Sequence, residues 1–301
     1  MSDIRVVSLI ASATEIVCEL GGRDLLVGRS HECDWPPDVA ELPVCSHAKL
    51  DASRPSAAID AEVKTLLADA VSIYGLAHET IDALQPTHMV TQSQCDVCAV
   101  SLEDVQEAVC GTLTCKPEIV VCEPHCLDDV WADIRRVGVA IERAGVAEGL
   151  IARAKTRLAA LSKPATAPRV ACVEWTEPLM AAGNWVPELV GLAGGENVLG
   201  RAGEHSPWLC AEELTASRPD VIVVMPCGFD LKRTVAESRV LADVPGWSEL
   251  PAVRAGRVYA VDGNAYFNRP GPRLVESAEL LSELFAGPGG DGDGERWARL
   301  A

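Results

Sequence analysis

One segment near the start of the chain constrains the fold more than any other, because its pattern predicts a strand, a tight turn and a helix. Residues 5–22 have the sequence RVVSLIASATEIVCELGG. Val6–Ile10 is an apolar run of strand type, and Ser12 and Glu15 have the spacing of a capping box at a helix start. Apolar residues then recur at helical spacing up to the Gly21-Gly22 stop. The segment predicts the opening unit of an α/β sheet.

A second predicted strand, Leu26–Gly28, leads into the loop His31-Glu32-Cys33-Asp34-Trp35. In a parallel sheet the loops after the strands meet at the carboxyl edge, where ligands bind. We therefore expect the Ser12 turn and the His31 loop to share one rim. A later predicted strand, His88–Thr91, leads into a loop that starts at Gln92 and includes Gln94. The same argument places that loop at the rim.

Composition and charge disfavour several classes of partner. The 301 residues carry a net charge of −18 and no basic cluster, which disfavours nucleic acid and anionic membranes as partners. The first residues, MSDIRVV, lack the features of a signal peptide or a lipoprotein cysteine. The 12 cysteines suit reducing conditions. Together, these two features predict a cytoplasmic location, or a periplasmic one if the start is truncated. No apolar run is long enough to span a membrane.

Strand and helix signals alternate along the chain, which predicts an α/β fold with two Rossmann-like lobes and parallel-type sheets. We expect an N-terminal lobe over residues 1–126 and a C-terminal lobe over 168–285. Residues 127–167 are helical almost throughout and predict a long connector helix, with a second segment over Leu150–Leu161 after Gly149. The Gly-rich end, residues 286–301, predicts a flexible tail.

The two lobes contain a weak internal repeat. Residues 79–86, ETIDALQP, resemble residues 212–219, EELTASRP, and a predicted strand follows each segment. Two similar lobes that face each other would form a ligand cleft.

Three further stretches complete an ordered set of motifs: GLAGGENVLG at 191–200, SPWLCAEELTASRPDVIVV at 206–224, and GRVYAVDG at 256–263. With this set the chain resembles, from Arg5 to about Phe285, the two-lobed substrate-binding proteins of ABC importers. The matching class has a rigid interlobe helix and carries cobalamin, haem and ferric siderophores, and the chain is most similar to its cobalamin-binding branch. The resemblance implies that Glu79 and Glu212 dock on arginines of an ABC permease. Both could equally be first-turn glutamates favoured by the helix dipole.

A large flat ligand needs aromatic contact area and a few polar groups that fix its orientation. The candidates in or beside predicted loops are Trp35, Trp175, Trp185, Trp208, Phe229, Tyr266 and Phe267. About half of them would instead be ordinary core residues, since large aromatic side chains are mostly buried.

Four side chains of the carboxyl rim could bind a metal: His31, Cys33, Cys95 and Cys98. They could close a tetrahedral zinc or iron site, or His31 could be an axial ligand to cobalt or haem iron. Cys95 and Cys98 could also be a redox dithiol, and all of the cysteines could be small buried hydrophobes.

Catalytic signatures such as a nucleophile elbow, a phosphate loop or a Rossmann glycine fingerprint are missing from the sequence. We therefore expect a binding protein that holds cobalamin, or a related corrinoid or metal chelate, between its lobes without catalysing a reaction. The alternative is a metal-binding or thiol-dependent protein, enzymes included, that uses the His31, Cys33, Cys95 and Cys98 site.

Overall fold

The chain divides into two compact units, each with its own sheet. The computed structural model describes residues 4–68, 73–94, 100–287 and 290–300. The N-terminal unit comprises Met1–Arg54, Ala58–Pro124 and Asp128–Arg153, and the C-terminal unit comprises Pro55–Ala57, His125–Leu127 and Ala154–Ala301. The predicted α/β class is confirmed. In the described ranges, no helix combines the length and the apolar character that crossing a membrane requires.

The sheet of the N-terminal unit has four parallel strands in the order β2-β1-β5-β6. They are β1 (Val6–Ser8), β2 (Leu26–Arg29), β5 (His88–Gln92) and β6 (Glu118–Cys122). Two short strands, β3 (Ser46–Ala48) and β4 (Tyr74–Leu76), form a separate antiparallel pair. The apolar side chains of β1 and β5 are fully buried, as expected for strands covered on both faces.

The helices of this part of the chain are α1 (Ala11–Glu19), α2 (Ser56–Ala68), α3 (His78–Leu84), α4 (Leu102–Glu107), α5 (Leu127–Ala140) and α6 (Ala144–Ala159). The capping box predicted at Ser12 is wrong. Helix α1 already begins at Ala11, its N-cap is Ile10, and no described side chain caps it. Because the turn after β1 is so short, Ser12 lies inside the first helical turn and is buried.

The C-terminal unit contains a six-stranded sheet in the order β12-β11-β10-β7-β8, and β9 also pairs with β7. Its strands are β7 (Arg169–Thr176), β8 (Leu179–Ala181), β9 (Glu196–Asn197), β10 (Val221–Val224), β11 (Val258–Val261) and β12 (Trp297–Arg299). Its helices are α7 (Val186–Leu192), α8 (Ala211–Ser217), α9 (Leu231–Glu237), α10 (Pro251–Arg254), α11 (Gly263–Tyr266) and α12 (Leu274–Ala286).

The two units repeat one strand order. The parallel strands β2-β1-β5-β6 of the first correspond to β9-β7-β10-β11 of the second. The repeat seen in the sequence coincides with this correspondence, because α3 and α8 are both seven residues long and each precedes the equivalent strand. Both helices end on a left-handed residue, Gln85 at φ 45° and Arg218 at φ 42°, followed by a proline.

The predicted helical segment is present, but it divides near Glu142 and not at Gly149. Helix α5 ends at Ala140, Glu142 adopts φ 58°, and α6 starts at Ala144. A Cβ atom on Gly138 would lie only 2.7 Å from the Cβ of Ala147, so the two helices approach closely at this point. The break therefore lets α6 pack back against α5.

The last residues differ from the predicted flexible tail. Trp297–Arg299 forms β12, which pairs antiparallel with β11. Trp297 is only 2% exposed and meets the ring of Tyr259 edge to face at 5.6 Å. The stability of this strand comes from contacts with distant parts of the chain. The local Gly-rich composition therefore does not predict it.

Candidate functional site

The carboxyl edge of the N-terminal sheet positions His31, which follows β2. Its Nδ1 atom lies 2.9 Å from Ser46 Oγ, and its backbone N–H donates to the same hydroxyl at 3.3 Å. The imidazole ring lies 5.3 Å from the ring of Tyr74, and Nε2 lies 4.0 Å from Glu32 Oε1. The side chain is 27% exposed. The imidazole is thus held in a defined orientation while part of it stays open to solvent.

The environment of His31 favours the neutral imidazole. Burial lowers its pKa, and the nearby charges of His47 and Arg29 lower it further. A neutral imidazole keeps a nitrogen lone pair free for a metal. The arrangement can therefore supply one axial ligand to the metal of a bound chelate.

Cys33 is buried among hydroxyl groups close to His31. Its Sγ lies 2.9 Å from Thr14 Oγ1 and 3.3 Å from Ser30 Oγ, and Thr14 Oγ1 lies 2.8 Å from Ser8 Oγ. This network joins the ends of β1 and β2 to helix α1, so the thiol has a structural role at the sheet edge.

The predicted metal site can be followed only in part, because Cys95 and Cys98 lie outside the described residues. Across the described ranges, no group of three or more His, Cys, Asp or Glu side chains is arranged to hold a metal ion. The zinc or iron site thus stays a prediction.

The C-terminal sheet has an aromatic cluster where its strand order reverses, between β7 and β10. Trp175, in β7, lies 5.1 Å from the ring of Phe229, which follows β10. The guanidinium of Arg233 covers Phe229 at 3.6 Å from the ring centre. Ligands of open α/β sheets bind at such switch points, so Trp175 lies at the expected place.

The loop after β11 joins the same edge. The backbone N–H of Asn264 donates to Phe229 O at 3.1 Å, and Asn268 Nδ2 donates to Met225 O at 3.2 Å. Tyr266 is half-buried, with the guanidinium carbon of Arg273 4.9 Å from its ring centre. The loops after β10 and β11 are thereby fixed to one another.

The aromatic residues predicted to contact a ligand differ in their exposure to solvent. Trp35 and Trp208 are 43% and 54% exposed, and Trp175 and Tyr266 are half-buried. The other three, Trp185, Phe229 and Phe267, are buried, and the Trp185 indole donates to Phe267 O at 2.8 Å. The buried three support the loops, and the first four can offer surface to a ligand.

The remaining polar candidates lie at or near the end of β5. Gln92 is the last residue of β5 and is buried, whereas Gln94 is half-buried in the loop that follows. The predicted site residues are thus distributed over the carboxyl edges of both sheets. The predicted cleft between the lobes stays a prediction.

Glu79 and Glu212 occupy equivalent positions in the two units. Each is the second residue of its seven-residue helix, α3 or α8, and both are exposed. Their side chains are therefore available to a partner. A first-turn glutamate is also favoured by the helix dipole, so the position alone does not separate the two interpretations.

Sequence reasoning missed Ser46, Tyr74 and Arg233. Ser46 and Tyr74 contact the His31 loop from 15 or more positions away, and nothing in their local sequence distinguishes them from other strand residues. Arg233 lies four positions after Phe229, but Phe229 precedes the N-cap of α9, so the helical i,i+4 rule does not predict their contact.

The chain belongs to the family described as Periplasmic binding protein, which it matches over residues 6–265. It is similar to the Vitamin B12-binding protein of Vibrio parahaemolyticus, with 24% identity over 93% of this chain and 89% of the relative. A match to the Vitamin B12-binding protein of Vibrio vulnificus has 28% identity over 107 residues, 36% of each chain.

Among solved structures, the periplasmic heme-binding protein RhuT from Roseiflexus sp. RS-1 superimposes with a TM-score of 0.70. The alignment covers 95% of this chain and 98% of that protein, at 24% sequence identity. This likeness supports the two-lobe α/β fold.

Proposed function

We propose that this protein binds cobalamin, or a related corrinoid or metal chelate, and releases it unchanged. The observation that carries the proposal is membership of the Periplasmic binding protein family together with aromatic side chains and a histidine at the carboxyl edges of the sheets. The relatives from Vibrio are named as vitamin B12-binding proteins, and RhuT as a heme-binding protein. All three names describe binding, which favours capture over catalysis.

The ligand contacts come from the exposed and half-buried aromatic residues Trp35, Trp175, Trp208 and Tyr266. Flat rings contribute large contact areas at a low cost in side-chain entropy, as a macrocycle requires. The buried Phe229 backs Trp175 and so fixes the orientation of its indole.

His31 supplies the axial ligand to the metal of the chelate. This role is supported by the lowered pKa, the partial exposure of the side chain and its fixed ring. The proposed ligation does not use the Cys33 thiol, which is engaged with Thr14 and Ser30.

We further propose an ABC permease as partner, contacted through Glu79 and Glu212. The support is that the two carboxylates are exposed at equivalent positions of α3 and α8. The cytoplasmic location predicted from the first residues stays a prediction.

Absorption titrations with aquocobalamin and with ferric haem test the function. Both ligands have an exchangeable axial position, so ligation by an imidazole changes their spectra. We expect a saturable change at one equivalent for at least one ligand, which is lost in His31→Ala and kept in His78→Ala, a matched change at an exposed histidine. No binding of either ligand by the unmodified protein would contradict the proposal.

A further inference from the structure

The hydroxyl of Ser46 contacts His31 at two points, the backbone N–H and the imidazole ring. Ser46 Oγ lies 2.9 Å from Nδ1 and accepts the backbone N–H of His31 at 3.3 Å. The serine is buried. Its hydroxyl therefore restrains both the start of the loop and the rotation of the imidazole.

The backbone around Ser46 is itself fixed from two sides. Cys45 N–H donates to Arg29 O at 2.7 Å, which ties the segment to β2. Ser46 pairs with Leu76 across the β3-β4 ladder. The hydroxyl is thus presented from a rigid element, as a group that orients another side chain should be.

Tyr74 and Glu32 are further neighbours of the ring. The Tyr74 ring packs on the imidazole at 5.3 Å with an interplanar angle of 42°, and the Tyr74 hydroxyl donates to Glu32 Oε1 at 3.4 Å. Glu32 Oε1 lies 4.0 Å from Nε2, beyond hydrogen-bond distance. Nδ1 is the ring nitrogen in hydrogen-bond contact with Ser46, and Nε2 is the one on the side of Glu32.

We infer that Ser46 is a positioning residue: its hydroxyl accepts the Nδ1–H of His31 and so directs the Nε2 lone pair towards the metal of the bound chelate. The inference rests on the proposed function, because it assumes that His31 is the axial ligand. Histidines that bind metals commonly donate their second ring N–H to an oxygen, and removal of that oxygen weakens metal affinity by roughly 10-fold or more.

The test compares Ser46→Thr with Ser46→Val, which have nearly the same shape and differ by the hydroxyl group. Aquocobalamin and ferric haem are titrated into each full-length variant. Absorption spectra report the axial ligand of both, and electron paramagnetic resonance spectra report that of ferric haem. We expect Ser46→Val to bind about 10-fold more weakly, with a reduced imidazole-ligated signal, and Ser46→Thr to retain most of both. Ser53→Ala, at an exposed serine bonded to Asp51, is the control and should match the unmodified protein.

The outcomes separate the two proposals. If His31→Ala loses the ligated signal while Ser46→Val and Ser46→Thr behave alike, the role of Ser46 is overturned and the proposed function stands. If His31→Ala keeps the signal, axial ligation by His31 fails and the inference fails with it. Because Thr and Val share any steric cost of the added methyl group, a difference between them reports on the hydroxyl alone.

Discussion

Asp133 gives the chain a specific dependence of stability on pH. It lies on α5, is 2% exposed, accepts the backbone N–H of Glu123 at 3.0 Å and forms an ion pair with Arg136. Arg136 also donates to Val121 O at 2.8 Å. The acid and the arginine thus satisfy backbone groups at the end of β6. Burial outweighs both favourable partners and raises the pKa of the Asp133 carboxyl from 3.8 to about 6.

The sign follows from linkage. Because the folded protein binds this proton more tightly than the unfolded chain, the stabilising contribution is complete below pH 3.8 and is lost as the pH rises through about 6. At ~1.4 kcal/mol per pH unit, the interval between the two values corresponds to at most about 3 kcal/mol. Asp133→Asn keeps an oxygen for the Glu123 N–H and removes the buried charge, and Arg136, whose side chain is 46% exposed, remains solvated.

We therefore expect Asp133→Asn to match the unmodified protein near pH 4 and to become more stable than it by up to ~3 kcal/mol near pH 7.5. Urea unfolding at a series of pH values measures this difference, and the exposed Asp128, changed to Asn, serves as the control that should show no such trend. A difference that stays flat, or that turns against Asp133→Asn as the pH rises, would refute the reasoning, because the ion pair would then outweigh the cost of burial.

Two tryptophans and one cysteine give further predictions. Trp297→Ala removes a buried ring packed on Tyr259 and an indole N–H that donates to Glu283 at 3.2 Å. Urea unfolding should therefore show that the free energy of unfolding falls by ~3–5 kcal/mol. A fall of less than ~1 kcal/mol would argue against a stabilising role of β12. Trp208→Ala changes an exposed ring and should leave the stability of the protein unchanged. In the absorption titration it should weaken ligand binding about 30-fold, or ~2 kcal/mol. An unchanged Kd would show that Trp208 is not part of the binding site. Cys33→Ala should cost about 1–2 kcal/mol of stability without changing metal content by elemental analysis, whereas loss of one bound metal would support the metal site instead.

Elements with strong local signals were predictable. The apolar runs at 221–224 and 258–261 predict strands and coincide with β10 and β11, and Pro86 predicts the end of the helix before it, α3. Ser101 stands directly before α4, where a serine favours a helix start, and it caps the helix by accepting the N–H of Asp104 at 3.1 Å. In each case the residues that determine the element are its own or its immediate neighbours, so the pattern carries the information.

The candidate site was predictable to the level of loops. The alternation of strands and helices places the loops after parallel strands at the carboxyl edges, and His31, Trp35 and Trp175 lie there. The sequence could not separate Trp208, which is exposed, from Trp185, which donates to Phe267 across 82 positions. Exposure depends on which distant segment covers a ring.

By itself, therefore, the sequence determined the α/β class, the repeated helix and strand of the two units, and the family resemblance, because these depend on periodicity and on ordered local motifs. Only the tertiary structure decided that the break between α5 and α6 lies near Glu142, that residues 297–299 close the edge of β11, and that Ser46 and Tyr74 hold the His31 ring. Each of these depends on contacts between segments far apart in the chain, whose energy is gained only when the backbone has brought them together.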